Sequence, residues 1–362
     1  MDKKNKVMII GGHFTAAIAV LEELAKNTTL SFVWVGHTYT MLGDKEPSAE
    51  YKEITLRNIP FYNLKTGKLY RHLSYKGVLS LLRIPGGFLQ AWSILKKEQP
   101  NIIVSFGGYL AVPVVIAGWM QHIPIVTHEQ TVNSGLSNRI IAHFAKKIMV
   151  AWQSSVPLFP KNKVVYTGNP LRKEIFTADR PLVDFGNSLP SILIINGNQG
   201  SHQINIFLKD IIPDLVNRYN VIHQTGGNSI YKDYDSLEPL AKQFPNYKLF
   251  KGIWGDDIGR ALAQSQFVIS RSGANTVYEL AALHKPSIMI PLTYATHNEQ
   301  YANAKFLADH GLAVILNDET MTKESFIAAI NQVAEIHPQA TEPLVNLQAA
   351  QSIAHCIESV LG

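Results

Sequence analysis

The sequence predicts an α/β protein made of two Rossmann-like halves. Short apolar runs alternate with segments of helical periodicity along almost the whole chain, the pattern of βαβ units around parallel sheets. A glycine-bearing loop follows the first strand-like run of each half, Gly11-Gly12-His13 in one and Asn196-Gly197-Asn198-Gln199-Gly200 in the other. Between the halves, Pro170, Pro181, Gly186 and Pro190 cluster in 168–190 and mark a break in the alternation.

The expected elements follow in chain order. The first half has strands at 7–10, 31–35, 102–105, 124–127, 147–150 and 164–166, with helices near 15–26, 78–97, 112–121 and 135–144. The stretch 37–75 reads as irregular and turn-rich. The second half has strands at 191–196, 221–224, 248–250, 267–270, 287–290 and 313–316. Its helices fall near 202–218, 257–264, 275–283, 299–311 and 323–334. A last amphipathic run, 343–361, has no strand after it. The expected organisation is therefore one domain over 1–167, a second over 168–342, and a helix in 343–362 that packs back across them.

Composition narrows the class. The chain has 362 residues, 46% hydrophobic and 17% charged, as expected of a globular protein with a large core. One cysteine, Cys356, excludes an intramolecular disulfide, argues against a cysteine metal site and fits a reducing compartment. No run approaches the ~20 apolar residues that span a bilayer. The N-terminal apolar run is too short for a signal peptide.

Charge is uneven. Residues 1–160 hold 17 Lys/Arg against 9 Asp/Glu, whereas 161–362 hold 16 against 19. From 54 to 97 there are eight basic residues (Arg57, Lys65, Lys68, Arg71, Lys76, Arg83, Lys96, Lys97) and no acidic one. Tyr70, Tyr75, Leu79, Phe88, Leu89 and Trp92 are interleaved with them. Such a region can rest on anionic lipid, cover the core as a solvated helix, or attract nucleic acid. The interleaved apolar residues favour an anionic membrane surface over nucleic acid.

The most specific run is SRSGANTVYELAA, 270–282, in which a small glycine turn opens a helix after a strand. Free backbone N–H groups and the helix dipole make that junction a phosphate site. Glu279, one and a half turns on, is placed to accept hydrogen bonds from vicinal hydroxyls such as those of a ribose. The plain alternative is an ordinary βα turn with a surface glutamate. His13, Ser105-Phe106-Gly107-Gly108-Tyr109 and His128-Glu129-Gln130-Thr131 also end strands, where ligands bind in open parallel sheets. His13 is a candidate general base; a lone histidine in such a loop is otherwise a helix cap or simply solvent-exposed.

These motifs together resemble the MurG-type glycosyltransferases of family 28. SFGGYLAVP (105–113), IPIVTHEQ (123–130), GLSNR (135–139), TGNPLR (167–172), NGNQGS, SRSGANTVYELAA and NEQYANA (298–304) occur in the family's order. The resemblance implies the GT-B architecture, two Rossmann-like domains facing across a cleft. The first half would bind the acceptor and the membrane, and the second the UDP-sugar. It implies inverting transfer of N-acetylglucosamine from UDP-N-acetylglucosamine to a muramyl-pentapeptide pyrophosphoryl-undecaprenol lipid, at the cytoplasmic face of the membrane, with no cofactor. No paired-carboxylate motif stands near the donor turn, so no obligatory metal is expected. His13 would be the base and Glu129 its reserve. On the donor side it implies Gly11, Gly12, Thr131, Arg172, Asn198, Asn205, Gly255, the run Ala274, Asn275, Thr276, Val277, Tyr278 and Glu279, and Gln300. On the acceptor side it implies Tyr109 and Asn138.

The chain departs from the pattern in places. Its first loop, GGHFTAA, is shorter than the family's GGTGGHxxPA. Thr131 stands where an asparagine is expected, Asn198 where a serine is, and Val112 where a glycine is. A related transferase with another lipid or glycan acceptor, a UDP-N-acetylglucosamine 2-epimerase, and a non-catalytic nucleotide-sugar-binding protein share the architecture.

Overall fold

The computed structural model describes residues 4–39, 47–67, 83–228, 230–292, 298–338 and 342–362. Two compact units emerge: Met1–Leu171 with Asn346–Gly362, and Arg172–Val345.

The first unit is a seven-stranded parallel sheet. Its strands are β1 (Asn5–Ile10), β2 (Leu30–Gly36), β3 (Phe61–Asn63), β4 (Ile102–Ser105), β5 (Ile125–Glu129), β6 (Lys147–Val150) and β7 (Val164–Tyr166), in the order β3-β2-β1-β4-β5-β6-β7. Because side chains alternate along a strand, each strand feeds two cores. Met8 and Ile10 of β1 join Val33 and Val35 on one face. That face is covered by α3 (Ile84–Glu98), α4 (Ala111–Met120) and α5 (Leu136–Phe144). Val7 and Ile9 join Trp34 on the other. There α1 (Phe14–Leu24), α2 (Ala49–Leu56) and the final helix, α13 (Ala349–Leu361), close the core. Burial on both faces makes these strands read as continuous apolar runs. The final helix thus returns to the first sheet, where its Ile353 and Ile357 are fully buried.

The second unit is a six-stranded parallel sheet. Its strands are β8 (Ser191–Ile195), β9 (Asn220–Gln224), β10 (Tyr247–Phe250), β11 (Ser265–Ser270), β12 (Ser287–Met289) and β13 (Ala313–Ile315), in the order β10-β9-β8-β11-β12-β13. Its helices are α6 (His202–Lys209), α7 (Ile212–Leu215), α8 (Asp233–Gln243), α9 (Asp256–Gln264), α10 (Ala274–Ala282), α11 (Glu299–Asp309) and α12 (Lys323–Ala334). Ile192, Ile194, Phe267 and Ile269 pack against Ile204 and Leu208 of α6 and Phe326 and Ile330 of α12.

Local chemistry explains three differences from the sequence-based expectation. The stretch expected to be irregular contains α2 and β3. Ser48 caps α2 by accepting from the Tyr51 amide, but only Ile54 of that helix is buried, so it carries no apolar periodicity. Helix α8 is absent from the expectation for the same reason: Asp233 and Leu237 are its buried residues and Pro239 lies inside it. The single helix expected over 202–218 is two, α6 and α7. Pro213 sits in the first turn of α7, where it lacks the N–H that would continue the ladder. The part of the expected helix at 78–82, and Lys68, Tyr70, Arg71, Tyr75, Lys76 and Leu79 of the basic and apolar region, lie outside the described residues. Among the described residues no helix is long and apolar enough to cross a membrane.

Candidate active site

Each sheet reverses direction beside its first strand: β1 lies between β2 and β4, and β8 between β9 and β11. The crevice at such a switch point, at the carboxyl ends of the strands, is where open α/β sheets bind ligands. The sequence-predicted loops lie at these two places.

In the first unit, Gly12 and Gly107 meet across the switch. A Cβ on Gly12 would stand 2.3 Å from the Gly107 carbonyl oxygen, so only glycine permits the approach. Beside it, His13 Nδ1 is 2.7 Å from the Phe106 carbonyl oxygen. A carbonyl can only accept, so Nδ1 carries the proton and Nε2 is left with its lone pair. Gly11 lies over Trp34 and Glu50, whose Oε1 accepts from Trp34 Nε1 at 2.6 Å. Burial pushes the Glu50 carboxyl up, against hydrogen bonds from Trp34 and the His37 backbone.

Glu129 is 2% exposed. Its carboxylate accepts from the amides of Thr131 (3.0 Å) and Gly135 (3.1 Å) and from Asn138 Nδ2 (3.0 Å), with the Thr131 hydroxyl at 2.8 Å. Asn138 also bonds the Thr127 hydroxyl and the His128 carbonyl. Glu129, Thr131 and Asn138 thus form one buried network that shapes the loop after β5. All four of these Glu129 contacts lie within its own loop and α5. His128 donates to the Gly168 carbonyl, and burial holds its ring down to about 4. Tyr109 pairs with His37, oxygen to Nε2, at 2.8 Å.

In the second unit, the amide of Arg271 donates to Asn196 Oδ1 at 3.1 Å across the switch. Arg271 is 7% exposed. It bonds Ser201, Gln203, the Ile290 carbonyl and Asp318, tying together the loops after β8, β11 and β12. Gly200 passes so close to β9 that a Cβ would sit 1.8 Å from the Thr225 carbonyl oxygen, at φ +77°.

Helix α10 begins at Gly273, whose backbone is extended and which makes no side-chain cap. A helix start of this kind presents backbone N–H groups that can meet an anion. Within it, Ala274, Val277 and Tyr278 are buried and can offer a ligand only their backbone. Thr276 borders two cavities. The larger, of about 500 Å³, is also lined by Asn196, His202, Tyr231, Gly273 and Gln300. Gln300 accepts from the Leu292 amide at 3.0 Å and so fixes that wall. The smaller is a pocket lined by Arg172, Asn198, Gln224, Ile253 and Glu279. There Arg172 grips Glu279 at two points, Nε to Oε1 at 2.7 Å and Nη2 to Oε2 at 3.0 Å. Burial works against the Arg172 charge, but the Glu279 carboxylate overcomes it and raises the guanidinium pKa. Arg172 thus pairs with Glu279 at its side, which leaves one lone-pair site on each carboxylate oxygen.

Of the predicted donor-side residues, Ala274, Asn275, Val277 and Tyr278 border neither cavity, and nor do Gly255 and Asn205. Gly255 caps α9 at φ +55°, next but one to Ile253, whose amide donates to Gln224. Asn205 is 1% exposed, and its three polar contacts are to the Thr225 carbonyl, Asp233 Oδ2 and His223 Nε2. It belongs to a relay behind the cavity. Tyr247 donates to His223 Nδ1 at 2.9 Å, and burial holds that ring down to about 3. At the other end, Asp233 Oδ1 is 2.6 Å from His202 Nδ1, and Tyr231 stacks on the His202 ring at 3.9 Å. The sequence points to the loop that Asn196 opens but gives no individual role to Asn196, His202, Asp233 or Arg271. Asn196 and Arg271 lay inside quoted motifs, whereas nothing local joins His202 to Asp233.

Two family models match the chain: the glycosyltransferase family 28 N-terminal domain over residues 10–150 and the family 28 C-terminal domain over 191–357. A UDP-N-acetylglucosamine–N-acetylmuramyl-(pentapeptide) pyrophosphoryl-undecaprenol N-acetylglucosamine transferase of Lachnospira eligens is 32% identical over 355 residues, 96% of this chain and 95% of that one. The protein of that name, numbered 2, from Bacillus anthracis is 30% identical over 96% of each chain. The crystal structure of Acinetobacter baumannii MurG superposes with a TM-score of 0.69 at 25% identity, covering 98% of this chain and 99% of that one. A UDP-N-acetylglucosamine 2-epimerase from Neisseria meningitidis shares the fold, with a TM-score of 0.60 at 14% identity over 98% of this chain.

Proposed function

The chain belongs to glycosyltransferase family 28, and from that premise we propose that it transfers N-acetylglucosamine from UDP-N-acetylglucosamine to the muramyl-pentapeptide pyrophosphoryl-undecaprenol lipid of peptidoglycan synthesis. The observation that carries the donor half of this reading is the two-point Arg172–Glu279 pair beside the uncapped start of α10. Glu279 accepts from the vicinal hydroxyls of the ribose. The first amides of α10 hold the diphosphate and stabilise the charge it gathers as the sugar departs. Asn198 and the backbone near Gly255 border the nucleoside, and Gln300 the sugar.

Transfer inverts the anomeric carbon. The acceptor hydroxyl attacks opposite the departing UDP and loses its proton to His13 Nε2, which the Phe106 carbonyl fixes in the right tautomer. Such help contributes roughly 10²–10⁴-fold.

The acceptor's hydrocarbon tail stays in the bilayer, so the protein works at the membrane surface. Lys65, Arg83, Lys96 and Lys97 are exposed, and Leu89, Trp119 and Met120 of the first unit are 68%, 54% and 49% exposed. Exposed cations and exposed large apolar side chains in one unit suit an anionic lipid surface.

The test is incubation with UDP-N-acetylglucosamine and a soluble analogue of the lipid acceptor. Mass spectrometry is expected to show the disaccharide product. Formation of free UDP-N-acetylmannosamine without acceptor, and no disaccharide with it, would overturn the reading in favour of an epimerase.

A further inference from the structure

The large cavity of the second unit holds a pair of groups that the proposed function leaves unused. Asn196 is 7% exposed and lines it. Its Oδ1 must be the atom facing the Arg271 amide, because an N–H needs an acceptor. The other end, Nδ2, is a buried donor with no partner among the described residues. Leaving such a group unpaired is costly, which makes it a demand for a ligand oxygen. His202 lines the same cavity. Its Nδ1 proton is committed to Asp233, at 2.6 Å, so the neutral ring keeps a lone pair on Nε2. Asp233 is itself held by Asn205, and Tyr231 stacks on the ring. The imidazole is thus fixed in tautomer by one neighbour and in plane by another.

A buried donor and an oriented acceptor on one cavity wall are complementary to a hydroxyl, which both accepts and donates. Gly273 and Thr276, at the start of α10, line the same cavity, so this wall lies beside the diphosphate position. We propose that Asn196 and His202 read the hydroxyls of the transferred sugar and set donor specificity, with Asp233 as the residue that positions His202. A sugar hydroxyl donates to His202 Nε2, and a sugar oxygen accepts from Asn196 Nδ2. The inference rests on the reading of the donor as UDP-N-acetylglucosamine.

The test compares the native enzyme with His202→Ala, His202→Phe, Asn196→Asp and Asp233→Asn, all at pH 8. The donors are UDP-N-acetylglucosamine and its 3-, 4- and 6-deoxy analogues, and UDP binding is measured alongside by calorimetry. UDP lacks the transferred sugar, so its affinity should stay within about threefold in every variant. With the full donor, kcat/KM should fall about tenfold or more in His202→Ala and Asn196→Asp. His202→Phe keeps the stack on Tyr231 but should fall as far. With the one deoxy analogue that lacks the recognised hydroxyl, native and variant enzymes should become equal. Equal losses on all four donors, or recovery in His202→Phe, would mean packing alone and overturn the proposal, as would an unchanged His202→Ala. A native protein that binds no UDP would overturn the donor reading and this inference with it.

Discussion

Replacing Glu279 by glutamine tests the donor site most directly. The native carboxylate has about four lone-pair sites, and Arg172 takes one on each oxygen. The amide keeps one oxygen and turns an N–H₂ group toward a guanidinium that can only donate. One arm of the pair is lost and the charge attraction with it. Hydrogen bonds to charged groups contribute about 1.5–3 kcal/mol each. Glu279 is 9% and Arg172 28% exposed in their side chains, so water repairs only part of the damage. A loss of roughly 2–3 kcal/mol of stability follows, which for a unit of this size lowers its melting temperature by about 5–10 °C. The ribose loses one of two acceptors and the other turns away, for roughly 3 kcal/mol or about 10²-fold in UDP affinity. Calorimetric titration with UDP, well below the melting onset, reads the second effect free of the first. A UDP dissociation constant within threefold of the native value, with both proteins fully folded, would refute the assignment of Glu279 to the ribose even if stability fell as expected.

Other expectations can be checked together. His13→Ala should lower kcat by about 10²–10⁴-fold and leave UDP affinity intact; an unchanged rate with the soluble acceptor analogue assigns the base elsewhere. The pH dependence of stability has a definite sign. His128 and His223 titrate near 4 and 3 in the folded chain and near 6.5 unfolded, so the unfolded chain binds the extra protons. Their contribution is full above pH 6.5 and fades as pH falls toward 4 and 3, by roughly 1 kcal/mol per pH unit for each unit of the protein. Urea melts at pH 7, 6, 5 and 4 should show this, and a flat profile over that range would count against it. Changing Lys65, Lys68, Arg71 and Lys76 to glutamate should abolish binding to anionic vesicles while UDP affinity holds. Persistent vesicle binding would remove that region from the membrane surface.

How much of this was legible beforehand depended on distance along the chain. Strands buried on both faces announce themselves as apolar runs, and β1, β4, β5, β8 and β11 lie within a residue or two of the expected positions. The helices that escaped notice, α2 and α8, bury too little apolar surface to leave a periodic trace. Their signals were a serine cap and first-turn acids, which many loops also carry. The loop motifs placed His13, Asn198 and the start of α10 correctly at strand ends, because a glycine turn between strand and helix is a local feature.

Partners were another matter. The sequence by itself determined the order of strands and helices, the glycines at the two switch points and the family motifs, since each depends on residues a few positions apart. Only the tertiary structure decided that Arg172 grips Glu279, 107 positions on, that Glu129 is spent on the loop it belongs to, and that His202 is held by Asp233 on the cavity that Asn196 also lines, the Asn196 Nδ2 having no partner among the described residues. The physical reason is that a hydrogen bond is fixed by ångström-scale geometry between side chains, and that geometry exists only once two sheets have set the spacing of the loops they carry.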